Sequence, residues 1–147
     1  MTQAFADPAA HGDLDRARWR ELLLPALSGW RDGAGSGAVR LLFLAPPASV
    51  RAVVDIRESA DRFDELYVRD LQWQIERVAT PGVAVALARR EGRPRRRDRV
   101  LCGQLESRLA TSTVRLVDFL TVGPDREWSL LRRRPPQARV RPTRQGP

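Results

Sequence analysis

Short runs of uniformly apolar residues alternate in this chain with longer stretches in which apolar residues return every three or four positions. The first periodic stretch opens at Asp13, an acidic residue suited to start a helix. In LDRARWRELLLPALSGW, Leu14, Trp19, Leu22, Leu23 and Leu27 share one helical stripe, with Pro25 expected to kink the helix and Gly29 to end it. A helix over 13–30 and a flexible connector over 31–38, RDGAGSGA, follow. Val39–Ala45 is continuously apolar and bounded by Gly37 and Pro46, the mark of a strand buried on both faces. Pro46-Pro47-Ala48-Ser49 turns the chain back into Val50–Ile56, the second strand of a hairpin. Leu71, Ile75 and Val78 then predict a helix from about Val68 to Ala79, ended by Thr80-Pro81-Gly82. Val83–Ala88 is another buried strand. Asp98 is placed to cap a helix reaching Ala110, with Val100, Leu101, Leu105 and Leu109 inward. Val114–Val122, a Gly123-Pro124-Asp125 turn and Glu127–Leu131 close the pattern with two strands. The expectation is an α/β fold, one domain with helices packed on a mixed central sheet.

At 147 residues the chain suits a single core. No apolar run approaches the roughly 20 residues of a membrane span, and the first dozen residues lack the features of a secretory signal, so a cytoplasmic protein with no membrane partner is expected. Cys102, the single cysteine, can form neither an internal disulfide nor a cysteine zinc site and reads as a small buried hydrophobe. All 26 basic residues are arginine, a bias that also points to a GC-rich genome. Their distribution is uneven. The segment from Arg89 to Arg99 holds seven arginines and the one from Arg132 to Arg144 six; the rest of the chain carries 13 arginines against 16 carboxylates. The formal charge of +8 therefore comes from one loop and one tail.

Three segments carry a resemblance. VRLVDFLTVGPDREWSLLR, with Asp118, Phe119, Val122, Gly123, Ser129 and Leu130, resembles the closing strand and hairpin of the RadC-like JAB domains, a branch of the JAMM/MPN metallopeptidase fold. VRDLQWQIERVATPGVAVALA is similar to that family's helix and Gly-bounded strand, and VRLLFLAPPASVRAVVDI to its first hairpin. The resemblance covers 39–133, leaving 1–12 as a flexible N-terminus and 134–147 as an Arg/Pro-rich tail. It implies a JAMM/MPN-like sheet and a zinc site in which a His-x-His-Pro signature after the strand at Val83–Ala88 and a later Asp hold the metal, leaving a position for activated water.

This chain departs from the family there. Arg89 and Glu91 stand at the histidine positions and Asp98 near that of the metal Asp, in a shorter loop. A guanidinium offers no lone pair, so the site as the family builds it is missing and no cofactor is expected. The one histidine, His11, lies far away in sequence, and Asp55 or Glu58, either of which can match the family's catalytic Glu, would have no metal-bound water to deprotonate. An all-oxygen Mg²⁺ or Mn²⁺ cluster of Glu91, Asp98 and Asp55 or Glu58 is opposed by the arginines among them. Ser107, Ser112, Ser129 and Cys102 lack a histidine partner for acyl transfer.

The arginine loop admits three readings: solvated surface left after metal loss, a polyanion site through Arg93, Arg95, Arg96 and Arg97, or part of a protein-binding surface to which Trp73 contributes. Polyanion binding would be salt-dependent and sequence-blind, with little stacking support because the loop has no aromatic residue. The leading expectation is a catalytically degenerate, metal-free binding module, for DNA through its arginines or for a protein; the link to DNA repair comes with the family resemblance and from no motif in this chain. The alternative is a JAMM-type metal-dependent hydrolase with a non-histidine site. If Arg89, Glu91 and Asp98 converge, a buried Arg–carboxylate pair filling the vacated site is expected.

Overall fold

Alternation along the central strands decides the layering. In the computed structural model, which describes residues 13–46, 49–62 and 64–131 with side chains from Arg20 onward, Val39–Ala45 forms β1 and Gly82–Ala88 forms β3. Odd-numbered β1 and β3 residues, Leu41, Phe43, Val83, Val85 and Leu87, enter one core, and the even-numbered Leu42, Leu44, Ala84 and Ala86 enter another. β3 is thus large on one face and small on the other. Its alanines face α1 (Asp13–Gly33), which buries Leu23 and Leu27 there. Its bulky face meets α2 (Glu65–Val78) and α3 (Arg96–Leu109). The result is one α/β domain with a five-stranded mixed sheet and three α-helices among the described residues.

With β2 at Ser49–Ile56, β4 at Arg115–Val122 and β5 at Glu127–Ser129, the sheet order is β2-β1-β3-β4-β5. β3 and β4 are parallel, joined through α3, and every other neighbouring pair is antiparallel. Parallel strands need such a crossover, and ligands in open α/β sheets gather beyond the carboxyl ends of parallel strands. Here that end is where the arginine loop begins.

Several boundaries differ from expectation. α1 runs past Gly29 to Gly33, because Trp30 packs on the α1-side core and Arg31 binds the β4–β5 turn. α2 begins before Val68, since the Asp64 carboxylate accepts the Tyr67 N–H at 2.9 Å and caps the helix. Its buried stripe is Tyr67, Val68, Leu71 and Ile75, and Val78 lies exposed in the last turn. In α3 the inward residues are Leu101, Cys102, Leu105 and Leu109. Val100 is exposed, because it sits one helical step from Leu101 and Cys102 takes the core-facing place. The α3 N-cap is Arg95; Asp98 is three residues inside, accepting the Arg95 N–H at 2.9 Å. In β4 the pairing with β3 jumps between Leu116 and Asp118, so Val117 is bulged and the strand's alternation is re-phased. Residues 1–12 and 132–147, the Pro47-Ala48 turn and the side chains of Leu14 and Trp19 lie outside the described residues.

Candidate functional site

β3 ends by delivering Arg89 into the interior. Its N–H donates to the Val122 carbonyl at 2.9 Å, extending the β3–β4 ladder one residue beyond the strand. Gly92 N–H then donates to the Arg89 carbonyl at 2.9 Å, closing a tight turn that leaves Arg90 and Glu91 outermost. Gly92 has a φ of +78°, and a side chain on it would meet the Arg126 carbonyl at 2.8 Å. The Thr121 hydroxyl donates to the Gly92 carbonyl at 2.6 Å. The loop is therefore fastened to the β4–β5 turn, and Gly92→Ala is expected to cost about 1–3 kcal/mol, read in urea unfolding, with no loss of helix content.

The Arg89 side chain, 2% exposed, forks onto Asp98, 1% exposed: Nε to Oδ2 at 2.9 Å and Nη2 to Oδ1 at 2.6 Å. The same Asp98 Oδ2 accepts from the Arg95 backbone, so one carboxylate binds the buried guanidinium and the first turn of α3 together. Nη1 of Arg89 faces the Ser36 hydroxyl at 3.2 Å and lies 3.0 Å from Oδ1 of Asp61. The latter approach is out of line for a hydrogen bond and acts as an ion pair. Asp61 closes in because Gly37, at φ +96°, carries no Cβ that would collide with it and with Ser59. Burial disfavours the Arg89 charge, but the hydrogen bonds and charge of Asp98, and then the attraction of Asp61, outweigh it and raise its pKa above the ordinary arginine value.

Of Arg89, Glu91 and Asp98, which the resemblance sets at metal-site positions, two meet. Arg89 and Asp98 form the buried pair. Glu91 does not join them; it is exposed at the crest of the Arg89–Gly92 turn, whose hydrogen bond directs it outward. The third member is Asp61, in the short 3-10 turn Ala60–Arg62, which no periodicity marks in the sequence. Asp55 is elsewhere, paired with Arg40 at 2.7 and 3.0 Å across β1 and β2. Glu58 is exposed, its carbonyl accepting the Tyr67 hydroxyl at 3.2 Å. That phenol's pKa is raised by burial, then by Glu58 and Asp61. No protein-family model matches this sequence, and no curated protein matches it either. The site is read on its own chemistry.

That chemistry does not fit zinc. The described residues contain no group of three histidine, cysteine or carboxylate side chains placed to share an ion, and His11 lies outside them. The Asp98 carboxylate is engaged by a fixed cation, Arg89. A divalent ion beside Arg89 would meet like charge in a buried setting. Ser129 donates to Asp118 at 2.5 Å, and neither it nor the buried Cys102 lies beside a histidine among the described residues.

Around this pair the surface is cationic. A cleft of about 450 Å³ is lined by Ser36, Arg89, Arg90, Glu91, Arg93, Pro94 and Arg95. Arg93, Arg95, Arg96 and Arg97 are all exposed. Arg95 lies 3.6 Å from Asp61, and Arg93 stands over the Trp128 ring with its guanidinium carbon 5.9 Å from the centroid. Trp73 is 58% exposed on α2, with Arg77 stacked on it at 4.7 Å.

The turn that holds the loop is itself clamped by α1. Arg20 and Arg31 both bind the Glu127 carboxylate, and Arg31 also donates to the Gly123 carbonyl at 2.8 Å. Burial alone would raise the Glu127 pKa; the hydrogen bonds and charges of Arg31 and Arg20 override it and hold the carboxyl below its usual value. A lowered folded-state pKa gives stability that is full above the ordinary carboxylate range and lost as pH falls through the folded value. Acid unfolding of Glu127→Gln should therefore be less steep than that of the parent below about pH 4.3, and at neutral pH the variant should be about 1–3 kcal/mol less stable.

Proposed function

We propose that this chain is a RadC-like JAB domain whose metal-binding positions are filled by an internal ion pair, and that it acts as a non-catalytic module binding polyanions, DNA among them, through its arginine loop. The single observation that carries the reading is the buried bidentate Arg89–Asp98 pair at the end of β3. On the resemblance, that pair supplies a permanent cation in place of the family's metal, and the nearby carboxylates are neutralised without an ion. The finer JAMM/MPN assignment is supported by the order helix, hairpin, helix, strand, helix, hairpin and by the parallel β3–β4 pair at whose carboxyl end the arginines emerge.

Polyanion binding is supported by charge placement. Arg95, Arg96 and Arg97 occupy the N-cap and first two positions of α3, where cations meet the positive end of the helix dipole and weaken the helix. An anion on that surface would relieve this repulsion. The test is metal content of the purified protein together with affinity for DNA, both duplex and single-stranded, across a salt series. Metal well below one equivalent and an affinity that falls linearly in log–log form are expected. Stoichiometric zinc would overturn the module reading, and undetectable binding at low salt would overturn the polyanion reading.

A further inference from the structure

We infer that the ligand of the arginine surface is a single-stranded nucleic acid and that Trp128 is the platform on which one of its bases stacks; this rests on the polyanion reading above. Trp128 is 41% exposed and belongs to neither hydrophobic core. Arg93 lies against its ring and also lines the cleft with Arg89, Arg90 and Arg95. The packing of Gly92 on Gly123 and the Arg126 carbonyl holds the loop and the β4–β5 hairpin together, so ring and guanidinium groups share one rigid surface.

The combination selects between strand states. A duplex offers phosphates outside and keeps the faces of its internal bases stacked, so a surface made for it has no use for an exposed indole beside its arginines. A single strand offers both phosphate and base face. A ring flanked by guanidinium groups can take the base by stacking while neighbouring arginines take the backbone. Trp73 supplies an internal comparison. It too lies under an arginine, Arg77 at 4.7 Å, but its groove sets two carboxylates, Asp70 and Glu76, against Arg69 and Arg108, whereas the cleft beside Trp128 has one, Glu91, among four arginines.

The experiment is fluorescence anisotropy at low salt with labelled oligothymidine, oligouridine and a duplex, each about 12 nucleotides long, on the parent and on Trp128→Ala, Trp128→Phe and Trp73→Ala. Trp128→Ala is expected to weaken at least one single strand roughly 5- to 100-fold and to leave the duplex unchanged. Trp128→Phe should retain most of the affinity, and Trp73→Ala all of it. A Trp128-dependent preference for either single strand supports the proposal. Equal losses on single strand and duplex, or no loss on either single strand, overturn it. If nucleic acid binds and arginine substitutions abolish binding while Trp128 is irrelevant, this inference alone fails; if no nucleic acid binds, the polyanion reading fails as well.

Discussion

Asp98→Ala is expected to destabilise the protein by about 3–5 kcal/mol, because it removes the carboxylate and leaves Arg89 charged, 2% exposed and still held by the chain. Asp61 cannot replace Asp98. It is one-third exposed and approaches a single nitrogen out of hydrogen-bond line, whereas Asp98 meets two nitrogens in a fork. The loss also uncaps the Arg95 N–H at the start of α3. Replacing both partners is a different matter, since the buried guanidinium and its carboxylate leave together and Asp61, one-third exposed, keeps Arg95 at 3.6 Å. Arg89→Met with Asp98→Leu is expected to recover most of the lost stability, a large favourable coupling in a urea double-mutant cycle. A loss below about 1 kcal/mol in Asp98→Ala would mean that the guanidinium finds water or another partner, and the filled-site description would be wrong.

Replacing Arg93, Arg95, Arg96 and Arg97 together by alanine should lower affinity for a nucleic-acid polyanion by roughly 10²- to 10³-fold near 0.1 M salt and flatten the salt dependence by two to four contacts' worth. The range is below that for four free cations because Arg95 is partly balanced by Asp61. The same variant should fold as well as the parent or better. Three of its four positions are at the α3 N-terminus, where each exposed cation is unfavourable by about 0.3–1 kcal/mol. Opposite signs for binding and stability separate a functional patch from a structural one. Thermal melts and anisotropy titrations on one preparation measure both, and parallel losses would identify the arginines as structural.

The strands were legible in advance because burial on both faces writes itself as an uninterrupted apolar run. Val39–Ala45 has the bounds read from its sequence, and β3 begins one residue earlier than read. Helix faces were less legible. Val78 and Val100 are as apolar as their buried neighbours, and only the position of the sheet decides which side of the helix is covered. The Val117 bulge likewise leaves no mark in composition, though it re-phases β4 and sets which face of the sheet Phe119 and Leu120 enter.

The arginine loop divides along the same line. Residue order alone sets Arg89 after an apolar run, Asp98 nine residues later and no histidine between them. Those facts are local, set by residue type and spacing. It takes the folded chain to turn Asp98 inward onto Arg89, to push Glu91 out at the Arg89–Gly92 turn, to bring Asp61 past Gly37 and to set Trp128 under Arg93. Asp61 and Trp128 come from segments distant in the chain that the sheet brings to the loop, so the residues between carry no sign of those two contacts.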